Sequence, residues 1–222
     1  NSPEQDWYES RAHVPTLLFL DETDVGGNTG KKAGFTASAS GNAYCTQEFS
    51  SPQTGTFTAQ WDIYVDSILD VSPRRAGQML IGTSNAQYSP NQNDVVRFVF
   101  LAFYKPGGGD SGTADLVAML DFNTQVPVAS GLNLDQWYKI KVIVDVAAGT
   151  YDIYVDDAYK TTVDAVTALS SATHISFAQW NDGAGAFYVD NVSAFKEAEY
   201  TLRTNVVGGG SVQKDPDQPT YA

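Results

Sequence analysis

The residue types able to do chemistry are few and scattered. The chain carries two histidines and one cysteine in 222 residues, so no His/Cys constellation exists to hold zinc. Arg97 is the one charged residue in VVRFVFLAFY (95–104) once the strand has begun, and His174 lies at the start of THISFAQW (173–180). A cation in an apolar strand requires a partner, and a structural ion pair is the ordinary explanation for Arg97. Asp21, Glu22 and Asp24 lie together, while Asp190 stands far away in YVDN (188–191). Such carboxylates are ordinarily solvated. Calcium would need six to eight oxygens, with backbone carbonyls making up the number. No Ser/His/Asp order, phosphate loop or dinucleotide fingerprint is present.

Stacking is the other chemistry on offer. A flat aromatic ring presents apolar area to the C–H face of a sugar, and amides or carboxylates take its hydroxyls. Trp180 ends a strand beside Asn181-Asp182-Gly183, and Tyr104 and Gln179 also lie at strand ends. Tyr88 stands in the Asn- and Gln-rich loop 84–94. The expected ligand-binding set is therefore Trp180, Tyr104, Gln179, Asn181, Asp182 and Tyr88. Trp61 and Phe103 are of the same residue types, but core packing is the ordinary explanation for each.

Strands must position these groups. In WYKIKVIVDVAAGTYDIYV (137–155), Tyr138, Ile140, Val142 and Val144 alternate with Lys139, Lys141, Ile143 and Asp145. A Gly-containing turn follows, and Tyr151, Ile153 and Val155 alternate on the way back. This is a hairpin with one dry face and one wet face. Further strands are expected at 16–20, 56–66, 77–83, 95–104, 116–122, 173–180 and 186–195. In the 77–83 strand Gln78 and Met79 point to opposite faces. A hairpin is expected within 34–50, a loop at 70–75, a connection at 124–135 and irregular chain at 160–171. No segment has a helical period longer than two turns, so the fold class is all-β, a sandwich of two sheets.

The hairpin, continued as WYKIKVIVDVAAGTYDIYVDD, resembles the central hairpin of concanavalin A-like and laminin-G-like jelly-roll domains of surface proteins. AFYVDNVSAF (186–195) resembles their closing strand. The resemblance implies a two-sheet antiparallel jelly-roll sandwich. It also implies a structural Ca2+ shared by Asp21, Glu22, Asp24 and Asp190. Jelly-roll lyases use a Tyr or His base with Arg, Gln or Asn against a uronate carboxylate. On that likeness the catalytic set would be Arg97, His174, Tyr104 and Gln179, although the recurrent motifs of alginate lyases are missing. The Glu-x-Asp-x-x-Glu strand of jelly-roll glucanases is missing too. The segment YTLRTNVVGGGSVQKDPDQPTYA (200–222) resembles the opening of an internalin-type repeat. The expected organisation is an arm at 1–15, the jelly roll at 16–197 and the first hairpin of a surface repeat at 198–222.

The net charge of −13 sets the field around the molecule, which repels nucleic acid and anionic membranes. Cys45 excludes an internal disulfide and is expected to be a buried thiol. No apolar run is long enough to span a bilayer. The function that follows is a non-catalytic, extracellular carbohydrate-binding or adhesion module of a cell-surface protein, with a polysaccharide or glycan as partner. A self-assembling subunit that adds strands to neighbouring subunits in a surface layer or filament and a polysaccharide lyase are the alternatives. Asn191-Val192-Ser193 matches a glycosylation sequon, but it falls in an expected strand.

Overall fold

A computed structural model describes residues 8–9, 18–36, 43–83, 97–121, 124–179 and 185–196. The described residues form fourteen strands and no helix. In chain order these are β1 (Tyr8–Glu9), β2 (Leu18–Asp21), β3 (Lys32–Thr36), β4 (Ala43–Gln53), β5 (Thr56–Ile68), β6 (Arg75–Gly82) and β7 (Arg97–Tyr104). They continue as β8 (Thr113–Met119), β9 (Gln125–Asn133), β10 (Trp137–Asp145), β11 (Thr150–Val155), β12 (Ala158–Asp164), β13 (Ala172–Gln179) and β14 (Gly185–Phe195). The front sheet runs β1-β4-β13-β6-β7-β8-β9 and the back sheet β12-β11-β10-β5-β14-β3-β2. All pairings are antiparallel.

Alternation carries through into burial. Every second residue of β10 is buried and the others are not, because only one face of the back sheet meets the front sheet. Between the sheets lie Phe57, Trp61, Ile63, Met79, Leu101, Phe103, Leu116, Ile140 and Phe177, among others. Trp61 is 1% exposed, donates Nε1–H to Met79 Sδ at 3.0 Å and meets Phe177 edge-on at 5.7 Å. Replacing it with alanine should cost about 3–5 kcal/mol. Trp61 and Phe103 are thus core. Cys45 is buried, and the sequence has no second cysteine for it to pair with.

Strands β6 and almost all of β7 are buried on both faces. One face meets the back sheet. The other carries a second cluster: Tyr44, Leu80, Phe100, Ala102, Val117, Met119 and Ala178. Val166 packs on it and ties to the sheet through its N–H to the Phe98 carbonyl at 3.1 Å.

Four expectations about the elements are corrected. The 124–135 connection is largely strand β9, and the first part of 160–171 belongs to β12. Both are edge strands, and both carry little of the period-2 signal: β9 includes Pro127 and Gly131, and β12 is mostly exposed. The residues flanking 37–42 do not form a hairpin, because β3 lies in the back sheet and β4 in the front. Arg75, expected in a loop, opens β6.

Candidate functional site on the outer face of the front sheet

Pairing registers place side chains in rows, since residues directly opposite across a ladder share a face. At one end of the outer face the row is Glu48, His174, Gly82 and Arg97, across β4, β13, β6 and β7. Gly82 has no side chain, so His174 and Arg97 are the side chains of the row on either side of it. Each is 1% exposed. The Thr173 hydroxyl lies 2.7 Å from His174 Nδ1, and Arg97 Cζ stands 4.9 Å from the Phe100 ring centre. Burial holds the imidazole below its usual range, against the opposing pull of the Glu48 carboxylate.

The next row is Thr46, Ser176, Leu80 and Phe100, with a 2.8 Å hydrogen bond between the two hydroxyls. Tyr44, Ala178 and Gln78 follow. The far row is Arg75, Tyr104 and Asp115, across β6, β7 and β8. Tyr104 and Asp115 are half-buried, so the face opens to solvent at this end. Arg75 Nη1 donates to Met119 Sδ at 3.3 Å, and Asp115 Oδ1 accepts from the Gly131 N–H at 3.0 Å.

Gln78 is set by a β-bulge. Ala76 pairs with Phe103 and Met79 with Leu101, leaving Gly77 and Gln78 opposite one residue of β7. Gly77 has φ +61°, and a Cβ there would meet Ile63 Cδ1 at 2.9 Å on the core side. A glycine in the left-handed region is the usual opening residue of such a bulge, which re-aims the following side chain. Gln78 consequently points away from Met79 and onto the outer face, as its alternation predicts. It is fully buried, and among the described residues neither its amide oxygen nor its amide nitrogen has a hydrogen-bond partner. Sequence reasoning assigned Gln78 to a strand face and missed it as a functional candidate. The Gly-Gln pair at the head of an apolar strand was the available signal.

The expected catalytic set is divided. His174 and Arg97 come together, but Tyr104 stands seven residues along β7 from Arg97, roughly 20 Å away. Gln179 is corrected outright. It pairs with Ala43 and shares the side of Phe177 and Cys45, so it faces the inter-sheet interior. Strand alternation forces this, because Ala178 takes the outer face. Its amide is also buried without a partner among the described residues, but on the side away from Tyr104. Trp180, Asn181, Asp182 and Tyr88 lie outside the described residues.

The four expected calcium ligands do not converge, and no three His, Cys, Asp or Glu side chains cluster for a metal among the described residues. Asp21 Oδ1 takes the Thr23 N–H and hydroxyl, both at 2.7 Å, which lowers its pKa. Asp24 Oδ1 takes the Gly27 N–H at 2.9 Å, and Glu22 points outward to Lys31 at 3.3 Å. Asp190 Oδ2 accepts from Asn28 Nδ2 at 2.8 Å and its Oδ1 from the Asn191 N–H at 2.7 Å. The carbonyls of this loop are engaged as well: Lys32, 1% exposed, donates Nζ to Thr23 O at 2.6 Å and Gly30 O at 3.0 Å. The residues present do not fit a calcium ion.

No family model and no curated protein matches the chain. Solved structures do. A sialidase superposes with a TM-score of 0.61 at 9% identity over 86% of this chain, which spans only 17% of that protein. A marine PL7 alginate lyase from Zobellia galactanivorans gives 0.57 at 15% identity, covering 83% of this chain and 82% of its own. The carbohydrate recognition domain of Emp47p gives 0.51 at 16% identity, covering 89% and 97%. Identities this low speak to architecture alone. The fold is a two-sheet antiparallel jelly-roll sandwich of the concanavalin A-like kind.

Proposed function

We propose that the domain is a non-catalytic carbohydrate-binding module whose ligand meets the Arg75–Tyr104–Asp115 end of the front sheet's outer face, next to the buried Gln78 amide. The observation that carries this reading is the unmet Gln78 amide. A buried amide without partners requires an explanation, and a bulge that aims it out of the core is costly to keep for packing alone. Tyr104 offers a ring face, Asp115 an acceptor and Arg75 a donor in the adjacent row, the mixture that sugar hydroxyls and C–H faces require. The names of two neighbours, alginate lyase and carbohydrate recognition domain, also speak of saccharide ligands. An extracellular setting, as expected from the sequence, goes with this role.

The test is a glycan array followed by calorimetry on the best ligand. Wild-type protein should bind, and Gln78→Leu should lose about tenfold or more in affinity while keeping its circular dichroism. Absence of binding to every glycan, or equal binding by the Leu variant, would refute the reading.

A second reading, a uronate polysaccharide lyase, is favoured by one observation. His174 and Arg97 stand in one row on either side of Gly82, a base and a cation two strands apart. Incubation with uronate polysaccharides, watched in the ultraviolet for unsaturated product, separates the two. Product that disappears in His174→Gln would replace the binding module with an enzyme.

A further inference from the structure

The loop between β2 and β3 crosses the outer face of the back sheet and is fastened at three places. Trp137 Nε1 donates to Val25 O at 2.8 Å. Gly26 lies so close to the Tyr64 and Trp137 rings that a Cβ would stand 2.5 Å from Tyr64 Cε2 and 3.2 Å from Trp137 Cδ1. Asn28 Nδ2 reaches Asp190. Beneath the loop, Asp190 and Asp62 sit directly opposite each other on β14 and β5, a like-charge pair that ordinarily destabilises a sheet. Amides separate them: Asn191, in the left-handed region at φ +51°, gives its N–H to Asp190 and its Nδ2 to Asp62 at 2.7 Å.

The only buried ammonium among the described residues is at this loop. Lys32 reaches into it and takes two backbone carbonyls from opposite ends, Thr23 and Gly30. It is also close enough to Asp21 to help hold that carboxylate ionised, after the two Thr23 hydrogen bonds. Converging carbonyls next to a carboxylate form a cation nest. Here the cation is a side chain.

We propose that the Lys32 ammonium is the resident cation of the β2–β3 loop, and that the domain holds this loop and the Asp62–Asp190 pair without a divalent ion. A built-in monovalent charge makes loop order independent of free calcium, whatever the front sheet binds. It also predicts a latent divalent site: without the ammonium, the Thr23 and Gly30 carbonyls and the Asp21 carboxylate are left to an ion from solution.

Terbium(III) luminescence tests this, with Trp137, bonded to the loop through Val25, as the sensitiser. The wild-type protein should give no sensitised emission and should melt at the same temperature in EDTA and in calcium chloride. Lys32→Met should melt at least about 3 °C lower, since a buried carbonyl nest loses its charge-assisted hydrogen bonds. That variant should also gain calcium-competable terbium emission and recover part of its stability in calcium. Sensitised emission or an EDTA-induced loss of stability in the wild-type protein would overturn the proposal, even if the Met variant fails to fold. A Met variant melting like wild type would overturn it equally.

Discussion

Gln78 gives the site reading its sharpest consequence, because a ligand-facing role and a packing role predict opposite signs. The side chain is fully buried on a face shared with Leu80, Phe100, Ala102 and Ala178, and both polar atoms of its amide lack partners among the described residues. Leaving a buried polar group unmet costs about 1–3 kcal/mol. Methionine matches glutamine in length and flexibility and carries no strong polar group. Gln78→Met should therefore raise the unfolding free energy by about 1–3 kcal/mol, and the melting temperature by about 2–4 °C for each kcal/mol in a chain of this size. Urea titration followed by tryptophan fluorescence, with an unchanged slope, measures the effect. Glycan affinity should fall in the same variant, so stability rises as binding is lost. A Met variant less stable than wild type would refute the reasoning: the amide would then be making structural hydrogen bonds, and the case for its pointing at a ligand would go with it.

The remaining predictions concern backbone and charge. Gly185 has φ +140°, and a Cβ would stand 1.9 Å from the Ser67 carbonyl oxygen of β5. Gly185→Ala should therefore cost about 3 kcal/mol or more by urea titration, whereas Gly27→Ala, with φ +88° and open space, should cost only about 1 kcal/mol. His174 is held neutral by burial, so the unfolded chain binds a proton that the native state refuses. Stability should fall as pH drops from about 7.5 to 6, and His174→Gln should flatten that slope; an unchanged slope would put the titration elsewhere. The Asp66 carboxyl is pushed up by desolvation and then by Asp135, with Asp110 adding to both. Its ionised form is disfavoured in the fold, so stability increases as pH falls through its native pKa. Asp66→Asn should add a few tenths of a kcal/mol at neutral pH, about 0.3–0.5 for so exposed a group, read as a higher urea midpoint.

The legible part of this fold was the part where one face of a strand is wet. In β10 and β11 the alternation of Tyr138, Ile140, Val142 and Val144 with lysine and aspartate fixes both the element and its inward face, and the burial pattern repeats it. The edge strands β9 and β12 were opaque for the converse reason: with one side unpaired among the described residues and much of the chain solvated, little selects their side chains for order. Sheet assignment was opaque too. Phe35 and Cys45 both point into the core from strands ten residues apart, yet they come from opposite sheets. Sequence spacing does not record when a chain crosses between layers.

The candidate site shows the same limit at finer scale. Arg97 and His174 were singled out because charge in an apolar strand is conspicuous, and pairing does bring them together across Gly82. The likeness to jelly-roll lyases groups Tyr104 with them by residue type, but strand length works against that grouping: a residue seven positions along β7 belongs to the opposite end of the sheet. Its neighbours in space are Arg75 and Asp115, set by register rather than by sequence proximity. The bulge at Gly77–Gln78 decides which row Gln78 joins, since two residues of β6 there answer to one of β7. A chain without that glycine would keep every strand and still lose the row that makes Arg75, Gln78 and Tyr104 one surface. Gly77→Ala should then separate binding from fold. The strained φ and the 2.9 Å contact with Ile63 Cδ1 act at the bulge, while the His174–Gly82–Arg97 row lies at the far end of the same strand. Glycan affinity lost in a chain that keeps its His174-dependent pH slope would place the recognition surface at the bulge. Affinity and slope lost together would make Gly77 a residue of the fold alone.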